Sequence, residues 1–329
     1  DVTVTIPVDP EDPLPALLAL SLPLGSPYVV SIVLGALAPW LVWLVGREVA
    51  GPPTAFLAAA ALVVSPFFVI TASTLMNHAT CLVFLAIFTL GYLRARRGAG
   101  WAWALAAGLA LGIAFNIRPQ SAVAVGLPFG VWTLARLRGG GRPVLREGLL
   151  ILAGLAPLLV WAGYYNHVVS GSWYRFPFMM LEDAAPSALA LLAPAGQGEP
   201  DHTLWKGLFY GLLNVWRLNL HLFGWGMSLI FVAVALRRGP RDAHDRVWLG
   251  VAATILAIHA GFPSPGVLEV GPRYLFPLLI PLALWTARGV REAHAWAASG
   301  GRPRALVPAF VALSVVFAVV TFGREQARH

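Results

Sequence analysis

Charged residues are scarce in this sequence: Asp, Glu, Lys and Arg make up 12% of its 329 residues, whereas hydrophobic residues make up 58%. Soluble globular domains carry about 25% charged residues, so the composition excludes an ordinary soluble domain. The sequence has one cysteine, Cys81, which excludes an internal disulfide. Disulfides therefore give no information about the compartment.

Several motifs that carry known chemistry are missing as well. The sequence has no Walker A motif, no GxSxG and no CxxCH, which argues against nucleotide chemistry within the chain. No HxxxH, CxxC or carboxylate pair accompanies His78 or His167, so a zinc site has little support. The sequence identifies no cofactor and leaves a divalent metal ion open. The net charge of +8 comes mostly from arginines between apolar stretches, without interleaved aromatics, and we predict no nucleic-acid partner.

Apolar stretches are the dominant feature that is present. A helix needs about 20 apolar residues to cross a bilayer, and about 17 at the low end. Ten stretches approach this length, which predicts an all-α, polytopic transmembrane helix bundle with about ten spans. The stretches are 27–46, 54–72, 77–93, 101–117, 121–135, 147–165, 219–236, 247–262, 273–287 and 305–322.

Arginines mark every second loop between these stretches. Sixteen of the 23 basic residues fall in one set of loops and seven in the other, and the positive-inside rule places the richer set in the cytoplasm. We therefore expect the loops 94–100, 136–146, 237–246 and 288–304 inside, and both chain ends outside. An outward start without a signal peptide predicts a preceding span, and the short stretch 14–24 is expected at the outer interface.

The segment 167–206 is the one long loop, and we place it outside. We expect a short helix near 184–192 within it. The stretch that follows, 204–221, alternates apolar and polar residues in a pattern typical of an interfacial helix.

Polar residues gather at the predicted outer ends of five spans. Charged groups near hydrocarbon usually face the interior of a helix bundle or a water-filled cavity. Because all five groups lie on the same predicted side of the membrane, they favour a common pocket that opens outward. The alternative is that they only mark where helices leave the membrane. The five groups are Asn77–His78, Asn116–Arg118, Asn166–His167, Arg217–His221 and Arg273–Tyr274.

Two of these groups contain an arginine beside a proline, Arg118 and Arg273. A guanidinium keeps its charge and can hold a phosphate through two hydrogen bonds, which suits a lipid phosphate. The two arginines are equally compatible with general binding of lipid headgroups, which needs no catalysis. A catalytic base would have to be an outer carboxylate. The acidic clusters are Asp9–Asp12 and Glu182–Asp183, and each is also compatible with a solvated loop charge.

Several segments resemble the bacterial multi-pass glycosyltransferases of the GT-C type, which are related to dolichyl-phosphate-mannose protein mannosyltransferases and lipid A aminoarabinose transferases. The segment 46–80 has their R-x-x-x-G turn, Ala-rich span, Ser-Pro and "MNH". The "G…G…RP" span lies in 108–128, a "YN…G…PF" element in 165–178 and "GPRYLFPLLIP" in 271–281. The resemblance runs over most of residues 14–290, and we interpret residues 1–329 as a single transmembrane domain.

The resemblance implies transfer of a sugar from a polyprenyl-phosphate carrier to a lipid, glycan or protein acceptor, at the outer face of a bacterial inner membrane. The family's catalytic Asp is expected upstream of Asp1, with Asp9, Asp12, Glu182 and Asp183 as substitutes. A lipid-linked-sugar flippase and a non-catalytic membrane subunit remain alternatives. The predicted substrate-binding residues are Asn77, His78, Arg118, Arg175, Arg273 and Tyr274.

Overall fold

The computed structural model describes residues 28–74, 76–176, 202–239, 242–262, 266–268, 271–300 and 305–326. This part of the chain is almost entirely helical, as predicted. A two-residue antiparallel pair, β1 (Val267–Leu268) and β2 (Gly271–Pro272), leads into a 3-10 helix, Arg273–Leu278. The α-helices are α1 (Tyr28–Val49), α2 (Pro52–Val63), α3 (Pro66–Ser73), α4 (His78–Arg96), α5 (Trp101–Ile117), α6 (Pro119–Ser170), α7 (Leu204–His221), α8 (Ile230–Arg238), α9 (Ala243–Ala260), α10 (Leu279–Ser299) and α11 (Leu306–Gln326).

The stretch 54–72 is not one straight helix. It consists of α2 and α3, which are bent by 59° relative to each other. Helix α2 ends at Val63, and Ser65 caps the start of α3: its hydroxyl accepts a hydrogen bond from the Phe68 amide, and Pro66 occupies the first position of α3. Proline is suited to that position because it needs no amide donor there. The same hydroxyl donates to the Leu222 carbonyl at 2.6 Å, which ties the bend to the end of α7.

The predicted span 219–236 is wrong. Helix α7 ends at His221, and α8 has only nine residues, about 14 Å at the usual helical rise. Between them, the side chain of Asn219 accepts from the Leu229 amide and donates to the Gly226 carbonyl, while Ser228 accepts from the Phe223 amide. These local bonds replace the helical ladder, as Asn and Ser side chains often do. The helix predicted over 204–221, in contrast, is confirmed at both ends.

Helix α6 forms a hairpin whose two arms pack on α5. The arms meet at Gly141, whose φ of 54° and ψ of −143° lie outside the helical region. On either side of this break, Arg136 and Glu147 form two hydrogen bonds of 2.9 and 3.1 Å. A Cβ on Gly108 of α5 would lie 2.0 Å from the Ile151 carbonyl oxygen, so glycine is required for this close approach.

The arginine-rich loops meet at one end of the bundle, which we call the arginine-rich end. Glu48 at the end of α1 pairs with Arg94 and Arg97 at the end of α4. The guanidinium of Arg96 lies over the Trp132 ring and contacts His244 of the predicted loop 237–246. Contacts between helices therefore hold described parts of these loops at the same end of the bundle.

The chain is an integral membrane protein, but the predicted count of ten spans is not confirmed. Among the described residues, three helical segments are long and apolar enough to cross a membrane: 29–49, 78–96 and 141–170. The bent pair α2–α3 makes a fourth if it crosses as one unit. Sequence stretches that looked like full spans become shorter helices where prolines and capping side chains interrupt them.

Candidate functional site

Arg118 lies at the bundle end opposite the arginine-rich end, between α5 and α6. Its backbone is extended and Pro119 starts α6, so the α5–α6 connection is tight and presents the side chain toward the start of α4. There its Nη1 donates to Asn77 Oδ1 at 2.9 Å and lies 3.4 Å from His78 Nε2. Its Nε contacts the Ser121 hydroxyl at 3.4 Å. Three of the predicted site residues are thus in direct contact.

The 3-10 helix brings Arg273 and Tyr274 to the same end. Its Phe276 ring packs edge-on against Phe67 at 5.4 Å and against His78 at 5.8 Å, which fixes the segment to α3 and α4. His78 itself is 3% exposed. Arg118 contacts this buried histidine directly, and Arg273 begins the 3-10 helix whose Phe276 packs on it.

Arg273 has hydrogen-bonding capacity to spare. Its guanidinium lies over the Tyr274 ring at 5.4 Å, while its Nε is buried without a hydrogen-bond partner among the described residues. A buried charged donor without an acceptor is costly unless a ligand supplies one. Arg217 of α7 has a similarly unpartnered Nη1, and the Cβ of His221, one turn further, lies beside Gly271 just before the 3-10 helix.

His259 belongs to this cluster, although the sequence argument did not select it. Its ring stacks on Tyr274 with centroids 4.3 Å apart. The only signal in the sequence was a histidine at the end of an apolar stretch. We call Asn77, His78, Arg118, His259, Arg273 and Tyr274 the cation cluster.

An apolar groove of about 520 Å³ starts beside Arg118. It lies between the two arms of α6, with α5 and the aromatic rings of Phe88 and Tyr92 behind it. Its lining extends from Ala122, one turn after Arg118, to Leu137 near the hairpin turn. The 15 residues between them correspond to about 22 Å of helix, most of the thickness of a bilayer core.

Other predicted polar groups have structural partners elsewhere. The Asn116 amide donates to the Gly112 and Leu158 carbonyls, which joins α5 to the second arm of α6. Asn166 donates to the Trp173 carbonyl, and His167 stacks on the same residue. Arg175 is partly buried beside Phe176, which contacts Phe115 at the rim of the groove.

The acidic candidates Asp9, Asp12, Glu182 and Asp183 lie outside the described residues. Within the described part, no group of three or more His, Cys, Asp or Glu side chains could hold a metal ion. The cation cluster itself contains no carboxylate. Its chemistry is that of an anion-binding site, since guanidinium and amide groups donate hydrogen bonds and the arginines retain their charge.

One family model matches part of the chain. Residues 19–161 match the family described as dolichyl-phosphate-mannose-protein mannosyltransferase. The matched segment includes the α2–α3 bend, Asn77–His78 and Arg118. No curated protein sequence matches the chain.

A solved structure has a similar fold. The chain superposes on ArnT from Cupriavidus metallidurans bound to undecaprenyl phosphate, with a TM-score of 0.55 and 19% sequence identity. The match covers 91% of this chain and 57% of the ArnT chain, so this sequence spans little more than half the length of that protein. The resemblance noted in the sequence is thus confirmed, and the chain shares its fold with this ArnT structure.

Proposed function

We propose that this protein transfers a sugar from a polyprenyl-phosphate carrier to an acceptor at the outer face of a bacterial inner membrane. The observation that carries the proposal is that two arginines lie at the bundle end away from the arginine-rich loops, where both are linked to buried His78. Arg118 contacts the His78 ring, and the 3-10 helix that begins with Arg273 packs on that ring through Phe276. Two permanent charges in a poorly hydrated setting favour a phosphate strongly.

The groove between the arms of α6 suits the isoprenoid tail of such a carrier. It is apolar along its length and begins one turn from Arg118, so a phosphate at the cation cluster would leave the tail beside it. Burying the tail there adds an area-proportional apolar contribution to binding, while the arginines provide the charge-dependent one. Undecaprenyl phosphate, to which the similar ArnT structure is bound, has this combination of groups.

The catalytic roles follow from the charge requirements of sugar transfer. A carboxylate has to orient or deprotonate the acceptor hydroxyl, and a cation has to stabilise the leaving phosphate. Arg118 and Arg273 supply the cations. The carboxylates of this chain that could act as the base are Asp9, Asp12, Glu182 and Asp183.

The direct test is an in vitro transfer assay with the full-length gene product in liposomes, a panel of polyprenyl-phosphate sugars, and glycan, lipid and peptide acceptors. We expect carrier-dependent transfer that needs no nucleotide sugar. Absence of transfer with every carrier, together with movement of the intact lipid-linked sugar across the bilayer, would instead identify a flippase. Neither transfer nor movement would favour a non-catalytic subunit.

The groove makes a separate prediction. A Cβ at Gly130 of α6 meets no atom within 4 Å and the position lines the groove, so Gly130→Phe should fit the fold and fill the space. We expect weaker binding of long polyprenyl phosphates by about tenfold, with little change for a short-chain analogue. That difference corresponds to about 1.4 kcal/mol.

The matched control is Gly130→Ala, which adds one methyl group and raises helix propensity by about 1 kcal/mol. It should bind both carriers as the wild type does. Equal loss of long- and short-chain binding in Gly130→Phe would contradict a tail in this groove.

The sidedness of the site can be tested by cysteine labelling. Cys81 is 1% exposed, so the wild type should give little background with a membrane-impermeant maleimide. Arg138 lies at the arginine-rich end, whereas Tyr174 is 85% exposed after the second arm of α6. In intact spheroplasts, Tyr174→Cys should be labelled and Arg138→Cys only after permeabilisation. The reverse pattern would turn the cation cluster toward the cytoplasm.

A further inference from the structure

A second cavity lies away from the cation cluster, enclosed by α2, α10, α11 and the segment before α8. Its volume is about 190 Å³, and the described residues that line it include no charged side chain. Leu57, Phe231, Val290 and Val311 form much of its apolar wall. One water molecule occupies about 30 Å³ of liquid, so the cavity could hold a segment of an extended molecule.

Four polar side chains line this cavity, and they fall into two pairs. Ser228 donates to the Trp225 carbonyl, and Ser314 donates to the Phe310 carbonyl of its own helix. The hydroxyl of Thr286 and the indole nitrogen of Trp225 are buried without a hydrogen-bond partner among the described residues. Thr286 is only 5% exposed.

A threonine in a helix can donate its hydroxyl to the carbonyl four residues earlier, and Thr286 does not do so. Three other helical threonines, Thr89, Thr133 and Thr254, each donate to the carbonyl four residues earlier at 2.8–3.0 Å. Buried hydroxyl and indole donors generally have an acceptor, because a buried donor that makes no hydrogen bond is unfavourable. Apart from these two donors and the hydroxyls of Ser228 and Ser314, the side chains of the wall are apolar.

The outer wall of the cavity is a single helix. Phe310 of α11 packs edge-on against Trp225 at 5.0 Å and against Phe231 at 5.8 Å. Away from the cavity α11 exposes Leu313, which is 70% accessible, and Val316, which is 59% accessible. In an integral membrane protein such apolar surface faces lipid, so among the described residues α11 forms the side of the cavity nearest the acyl chains.

We infer that this cavity binds one acyl chain of a bilayer glycerophospholipid, whose ester carbonyl accepts hydrogen bonds from Thr286 and Trp225. The apolar wall fits the hydrocarbon, and the two donors fit a neutral acceptor. A polyisoprenoid tail offers no acceptor along its length, and a phosphate would need the cations that the lining lacks. The site is therefore distinct from the proposed carrier site, and it stands whether or not the carrier is a polyprenyl phosphate.

The test compares two photoreactive phospholipids in nanodiscs that contain the full-length protein. Both carry the same diazirine on one chain; one is a diacyl lipid and the other its di-O-alkyl analogue, which lacks the ester carbonyls. Crosslinks to the peptides that cover 222–231 and 279–299 are quantified by mass spectrometry. We expect about fivefold more labelling by the diacyl probe, the preference of one net hydrogen bond.

Two variants test the donors. Thr286→Val keeps the shape of the side chain and removes its hydroxyl, and Trp225→Phe keeps an aromatic ring against Phe310 and removes the indole donor. In each variant the ratio of diacyl to dialkyl labelling should fall toward one. If Thr286→Val does not fold, Trp225→Phe still provides the test. The matched control is Thr254→Val, whose hydroxyl bonds to its own helix; it should keep the preference.

Ala61→Phe fills the cavity from α2 and should abolish labelling of both peptides by either probe. Equal labelling of the wild type by the two probes would overturn the inference. So would an unchanged preference in both donor variants. Displacement of the diacyl probe by polyprenyl phosphate would also overturn it, because it would assign the cavity to the carrier.

Discussion

Replacing Arg118 or Arg273 with Ala is expected to weaken binding of a polyprenyl phosphate by roughly 10- to 100-fold. Each guanidinium would make charge-assisted hydrogen bonds with the phosphate, and such bonds contribute about 1.5–3 kcal/mol. Arg→Lys should reduce the carrier affinity less than Arg→Ala does, since lysine keeps the charge but loses the two-donor geometry. The measurement is carrier affinity of the full-length protein in detergent, by microscale thermophoresis with a fluorescent polyprenyl phosphate.

The two arginines are expected to differ in how much stability they contribute. Arg118 also bonds to Asn77 and contacts His78, so its loss should lower the melting temperature as well as the affinity. Arg273, whose Nε has no partner in the described structure, should lose affinity with little change in stability. Arg138→Ala at the opposite end is the matched control and should bind as the wild type does. Unchanged affinity in both Ala variants would remove the phosphate site from this cluster.

Asp245→Ala is expected to destabilise the protein by about 3–5 kcal/mol, because it leaves the partly buried Arg288 without its counter-charge. Asp245 is 2% exposed and accepts hydrogen bonds from Arg288 Nη1 at 2.8 and 2.9 Å and from Trp285 Nε1 at 2.8 Å. It also closes a capping box with Asp242 at the start of α9. The measurement is unfolding in mixed micelles, monitored by tryptophan fluorescence.

Two controls separate the buried charge from the helix cap. Asp242→Ala removes the other half of the capping box at a position with a 45% exposed side chain, and it should cost only about 1 kcal/mol. The double variant Asp245→Leu with Arg288→Met removes both charges and should recover much of the lost stability. If the double variant were as unstable as Asp245→Ala, the loss would come from packing and not from the unpaired charge.

Much of the architecture follows from the sequence. The apolar stretches gave most of the helices within a few residues, and α7 was predicted over its full length. The arginine asymmetry predicted which loops share an end, and contacts such as Glu48 with Arg94 join them there. The contact of Arg118 with Asn77 and His78 was likewise anticipated from their shared position at span ends.

The breaks in the helices were not predictable from hydropathy. A run of apolar residues looks the same whether one helix or two shorter ones form. The bend at Ser65 depends on a hydroxyl that caps α3 and reaches the Leu222 carbonyl, 157 residues away. The segment after His221 leaves the helix because Asn219 and Ser228 bond to local backbone groups. Both outcomes depend on side-chain geometry that a window average removes.

The sequence by itself determined that the chain is a mostly helical membrane protein in which 16 of the 23 basic residues fall in alternate loops, because apolar length and charge placement act locally and add along the chain. Only the tertiary structure decided which polar groups meet. It put His259 against Tyr274 and Arg118 against His78, and the packing of Phe276 on His78 fixes the 3-10 helix that begins with Arg273. It also left Thr286 and Trp225 unpartnered in an apolar cavity. Packing fixes such relations between helices, and no local pattern encodes them.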